Sequence, residues 1–137
     1  VGTLCHEFLH SIGYPDLYRK DSSSGNPVGQ WDLMATNSIF LQYPIAYQRY
    51  AVSGWLDAKT ITTAGTYTLQ PASSSTGDRL YLLKTPFSDT EFFAVEYRIP
   101  GKQYSEELDC KIYGEGLRMS DSGSSPPFLR MIFPHLQ

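Results

Sequence analysis

The stretch His6-Glu7-Phe8-Leu9-His10-Ser11-Ile12-Gly13-Tyr14-Pro15-Asp16 decides how the chain is read. Two histidines four positions apart on a helix project from one face, so both imidazoles can reach one metal ion, and the glutamate between them lies beside it. The spacing predicts a helix over 1–13 (VGTLCHEFLHSIG). Leu4, Phe8, Leu9 and Ile12 fall at helical intervals and read as its apolar face. Gly13 is a natural helix stop, and Pro15 cannot continue the helix. Asp16 follows three residues after Gly13, which completes H-E-x-x-H-x-x-G-x-x-D, a pattern far more specific than H-E-x-x-H alone.

A catalytic zinc usually takes three protein ligands and keeps one position open for water. His6, His10 and Asp16 would supply the three. Asp16 has an alternative task, stabilising the turn after Pro15, and Asp21 and Asp32 are weaker substitutes as the third ligand. Zinc lowers the pKa of water toward roughly 7, and Glu7 is placed to act as general base and pass the proton to a leaving amine. A structural zinc site fits less well, because such sites usually have four protein ligands and often cysteine. Cys5, the neighbour of His6, lies about 100° away around the helix. A helix can also carry His and Glu on its solvent face with no metal at all. The third histidine, His135, has no assigned role.

The composition sets the outer bounds. The chain has 137 residues, 15.4 kDa, the size of one domain, and 41% hydrophobic residues, enough for a packed core and against wholesale disorder. Eleven basic and fourteen acidic residues give a net charge of −3, which argues against nucleic acid as the main partner. No apolar run approaches the length of a membrane span. The two cysteines, Cys5 and Cys110, can form one bridge or remain as partly buried thiols, and the burial tendency of cysteine favours the thiols.

Outward from the motif, 19–30 reads as a polar, turn-rich loop and 31–38 (WDLMATNS) as a tight turn. A second helix is predicted over 44–56, with Pro44 at its first position, a stripe of Ile45, Tyr47, Ala51 and Val52, and Gly54 as its stop. Tyr43, Tyr47 and Tyr50 either pack in the core or line a specificity pocket, and amphipathic helices favour the core. After Trp55 the residues become β-branched and aromatic. Strands are predicted at 60–70, 79–85 and 91–99, the last more buried, and a further strand can start at 114–118. The expected fold is α+β: a helical part, then an antiparallel β-rich region. The expected boundaries are 1–57, 58–118, and a disordered tail over 119–137.

His6–Tyr18 (HEFLHSIGYPDLY), Gly29–Met34 (GQWDLM) and Gly54-Trp55 together resemble the immune inhibitor A group of secreted zinc metallopeptidases, the M6 peptidases. The stretch 92–98 (FFAVEYR) is similar to that family's downstream strand, and Gly114-Glu115-Gly116-Leu117 to its later Gly-x-Gly-Leu, so the resemblance runs to about residue 118. It implies zinc ligation by His6 and His10, catalysis by Glu7 and Asp16 as third ligand. It also implies protein or peptide substrates, a secreted location, a partial metzincin-like catalytic subdomain with active-site helix, Met-turn and closing helix, and Met34 as the Met-turn residue beneath the metal. An ordinary core methionine would be buried just as well. Calcium is a further cofactor of the family, and Asp21, Asn26 and Asp32 lie in an oxygen-rich loop, without a recognisable calcium motif. The family's upstream sheet and helices are missing here, and its aliphatic strand after Gly-x-Gly-Leu is replaced by Arg118-Met119-Ser120. The motif order therefore suggests the downstream part of a larger peptidase. Two classes of function follow: a metallopeptidase fragment, or a catalytically inactive chain whose β-rich part is a structural or protein-interaction module.

Overall fold

A computed structural model of the chain describes residues 1–18, 20, 28–37, 41–86 and 91–99, together with the backbone of 129–133. Its elements are α1 (Gly2–Ser11), α2 (Ala46–Ala51), β1 (Lys59–Ile61), β2 (Tyr81–Lys84), β3 (Phe92–Glu96) and β4 (Leu129–Phe133). The class is α+β, as the sequence indicates.

The end of α1 shows how the sequence dictates local structure. Gly13 adopts φ +98°, a conformation open to glycine and costly for other residues. That reversal lets Gly13 N–H donate to His10 O at 3.0 Å and Tyr14 N–H donate to Leu9 O at 3.1 Å. This is the paired closure of a Schellman motif, and Leu9 and Tyr14 supply its hydrophobic contact within one core.

The burial of α1 differs from the sequence expectation. Leu9 is buried, but Leu4 is 74% and Phe8 65% exposed, and Ile12 is exposed too. The inward face carries Gly2, His6 and Leu9 instead. Two bonds fix this rotation: the closure that ties Leu9 to Tyr14, and a hydrogen bond from the His6 ring to the Leu33 carbonyl. On the outward side, Leu4 and Phe8 join Leu41, Pro44 and Trp55 around an apolar cavity of about 510 Å³.

The first core comprises Leu9, Tyr14, Leu17, Val28, Leu33, Met34 and Ile45, with Cys5 packed against it as a free thiol. Cys110 lies outside the described residues, as do Asp21, Asn26, His135 and the Gly114–Leu117 motif. The second core joins Ala46 and Leu56 to Leu80 and Ala94, with Tyr47, Leu82 and Phe92 against it. This second core takes residues from both sides of position 57/58.

The second helix is shorter than predicted, and its buried residues are Ala46, Gln48 and Arg49, whereas Ala51 and Val52 are exposed. The polar side turns inward because β3 presents the carboxylate of Glu96 beneath it. Of the three tyrosines, Tyr47 packs on Phe92 (ring centroids 4.9 Å apart), Tyr43 is half-buried, and Tyr50 is exposed.

The sheet has the order β1-β2-β3-β4. β2–β3 and β3–β4 are antiparallel, but β1 and β2 are parallel, which corrects the all-antiparallel expectation. The cause is the connection over 62–80, longer than the dozen or so residues that a parallel return requires. Only Thr60 and Ile61 of the predicted strand 60–70 pair in the sheet, within β1; Tyr67 turns its hydroxyl back onto Thr63 O at 2.9 Å. β3 lies centrally, as its apolar sequence suggests. β4 falls within 119–137, the stretch read as a disordered tail. The Ser-, Gly- and Pro-rich residues 120–127 dominate that composition and mask the apolar run Leu129-Arg130-Met131-Ile132-Phe133, whose backbone pairs with β3.

Candidate metal centre

α1 and the loop that follows it bring three sequence-predicted ligands together. His6 Nε2 and His10 Nε2 lie 3.1 Å apart. Asp16 Oδ1 lies 3.3 Å from the first and 3.1 Å from the second. Helical spacing places the histidines, and the reversal at Gly13 folds Pro15 and Asp16 back toward them. His6 is buried, while His10 and Asp16 are half-buried, so the group opens on one side.

The hydrogen bonds fix which ring nitrogens are free. His6 Nδ1 is 2.9 Å from Leu33 O, and His10 Nδ1 is 2.8 Å from Tyr14 O. A carbonyl oxygen only accepts, so in each ring Nδ1 carries the proton and Nε2 presents a lone pair. A metal-ligating histidine is commonly held in this way by its other nitrogen. Asp16 Oδ1 is itself buried and has no hydrogen-bond donor. Three acceptor atoms facing one another repel unless a proton or a cation lies among them. Ligands about 2.0–2.1 Å from a tetrahedral ion sit about 3.3 Å from each other, so the observed separations fit that geometry. His6, His10 and Asp16 form a group that could hold a metal ion.

Glu7 is exposed on the same turn of α1. The Tyr18 ring stacks near His6, with centroids 6.4 Å apart and planes inclined by 20°. A side-chain hydrogen bond to Asp16 raises the pKa of the Tyr18 hydroxyl. Tyr18 had no separate role in the sequence reading; its place two residues after Asp16 is the signal that could have marked it.

Met34 has no exposed surface and packs with Leu9 and Leu33, as both accounts of it require. Asp32 is fully buried, but it is not part of the metal group. Its Oδ1 accepts from Met34 N–H at 2.5 Å and its Oδ2 from Ile45 N–H at 2.6 Å. Both oxygens are thus engaged by backbone. Burial pushes its carboxyl up to about 6, against the opposing effect of the two N–H bonds and Arg98. Tyr14 is buried as well, its hydroxyl 2.8 Å from Ser53 Oγ, and burial raises its pKa.

Sequence reasoning missed a buried charge cluster beyond this turn. Glu96 Oε2 accepts from Ala46 N–H at 2.9 Å and lies 3.6 Å from Arg49 Nη2. Glu96 Oε1 accepts from Arg98 Nη1 at 3.1 Å, and Arg98 Nη2 donates to Tyr43 O at 3.1 Å. Desolvation lowers the pKa of Arg49, and Glu96 opposes that effect. The available signal was Glu96 and Arg98 at alternate positions of an otherwise apolar strand, on the face shared with Ala94.

Comparison with known proteins bears on the first part of the chain. Residues 1–55 match the family model described as immune inhibitor A peptidase M6, catalytic domain. No curated protein and no solved structure matches the chain. The match supports a peptidase-like reading of residues 1–55 at the coarse level. Among the described residues, no helix is long and apolar enough to cross a membrane.

Proposed function

We propose that this chain carries the metal-binding portion of a zinc-dependent metalloendopeptidase of the immune inhibitor A type, secreted by the parent organism. The observation that carries the reading is the convergence of three acceptor atoms, from His6, His10 and Asp16, with both imidazoles oriented by carbonyl partners.

Zinc, when bound there, supplies the Lewis acidity that makes water an effective nucleophile near neutral pH. His6 and His10 present Nε2 lone pairs, and Asp16 brings the negative charge that offsets part of the ion's own. Glu7 takes a proton from the attacking water and delivers it to the departing amine of the scissile peptide. Its exposure leaves the carboxylate free to reach substrate. Met34 and Leu33 would form the apolar base of this arrangement, and Asp32 holds their turn closed.

The packing of α2 on β3 favours one catalytic unit over a separate interaction module. Casein cleavage by the zinc-loaded chain tests the reading. Glu7→Gln should retain zinc and lose about 10²–10⁴-fold in rate, the usual contribution of general acid–base catalysis. Equal rates would remove Glu7 from the mechanism. Absence of cleavage by the zinc-loaded chain itself would contradict activity of this fragment.

A further inference from the structure

Glu96 and Arg98 lie beyond residues 1–55, the part matched by the peptidase family model, and they are 5% and 1% exposed. Charges this buried on the core face of a strand require specific partners. Several of those partners lie in the segment that supports the metal centre. Arg98 holds Tyr43 O and Glu96 holds Ala46 N–H, so the pair grips both ends of residues 43–46. Between those ends, Ile45 N–H donates to Asp32 Oδ2. The other oxygen of Asp32 takes Met34 N–H, which fixes the turn around Leu33. The Leu33 carbonyl in turn accepts the Nδ1 proton of His6.

We infer that Glu96 and Arg98 are positioning residues for the metal centre: by anchoring 43–46 and through it the Asp32 turn, they hold the Leu33 carbonyl where it orients His6. The functional meaning rests on the zinc reading above, but the mechanical link to His6 exists without metal. It also gives the β-rich region a task, since a peptidase segment ending at residue 55 would leave Ala46 N–H and Tyr43 O without these side-chain partners.

The alternative is that the pair stabilises the fold and nothing more. Two variants of the full 137-residue chain separate the accounts. Glu96→Gln keeps an acceptor for Ala46 but removes the charge. Arg98→Lys keeps the charge but cannot fork between Glu96 and Tyr43. Asp78→Asn, at the exposed Lys59–Asp78 pair on the same sheet, is the control.

Three readouts apply. In metal-free protein, NMR follows the protected Nδ1 proton of His6. Competition with a chromophoric chelator gives zinc affinity, and the visible spectrum of the cobalt-substituted protein reports ligand geometry. The expected result is faster exchange of the His6 proton, zinc affinity lowered about tenfold, as for other supporting partners of metal ligands, and an altered cobalt spectrum, with the control unchanged.

Wild-type values for all three readouts in both variants would overturn the inference. Unfolding of both variants in metal-free buffer would overturn it equally, because the pair would then hold the fold as a whole. If the wild-type chain takes up no zinc while the His6 proton still responds to Glu96→Gln, the zinc reading fails and the positioning link stands.

Discussion

The Nδ1–H of His6 donates to the carbonyl of Leu33 at 2.9 Å, across 27 positions of sequence. This contact joins the helix of the H-E-x-x-H motif to the turn that contains Met34. It also decides the chemistry of the ring, because it leaves Nε2 as a lone pair facing His10 and Asp16. The two segments most distinctive in sequence, 6–16 and 29–34, are thus one structural unit. Leu17 N–H reinforces the joint by donating to Met34 O at 3.0 Å.

Asp16 is the ligand whose sequence role had an alternative. Asp16→Asn retains side-chain size but removes the charge from the orphaned Oδ1 position. If Asp16 ligates, zinc affinity measured by chelator competition falls more than the roughly 100-fold upper range seen for supporting partners. If it only stabilises the turn, affinity is unchanged and the melting temperature alone drops.

Gly13→Ala tests the reversal after α1. The nearest atom to an added Cβ is Val52 Cγ1 at 3.6 Å, so space is adequate and the cost comes from φ +98°. Chemical denaturation should show a loss of about 1–2 kcal/mol. Zinc affinity should fall too, because the reversal aims the Tyr14 carbonyl at His10 Nδ1. A loss below a few tenths of a kcal/mol would contradict the backbone assignment.

Asp32 predicts a pH dependence of stability. Its carboxyl sits at 3.8 when unperturbed and at about 6 in the folded chain. The folded state therefore holds the proton more tightly. The associated stability is complete below about pH 4 and is lost as pH rises toward 6, a change of about 3 kcal/mol. Asp32→Asn carries a separate, pH-independent cost, since its amide would face a backbone N–H. Unfolding curves from pH 4 to 7 should show the wild type losing stability relative to Asp32→Asn; parallel curves would refute the buried-carboxyl account.

The convergence of His6, His10 and Asp16 was legible because these residues are close in sequence and the histidines obey helical spacing. The stop at Gly13 was legible for the same reason, since it depends on one residue's backbone freedom. The rotation of α1 was not. Leu4, Phe8 and Ile12 have the spacing of a core face, and only the tertiary bond from His6 to Leu33 shows that the histidine side turns inward. The buried polar face of α2 was hidden likewise, because Gln48 and Arg49 look solvent-exposed until Glu96 is placed beneath them. The parallel pairing of β1 with β2 depended on how little of 60–70 is strand, which alternation alone does not reveal.

Zinc content after exhaustive dialysis decides whether His6, His10 and Asp16 hold one zinc ion. The wild-type chain should retain about one zinc per molecule and His10→Ala none. A folded, zinc-free wild type, or His10→Ala retaining zinc at the wild-type level, would contradict the proposal.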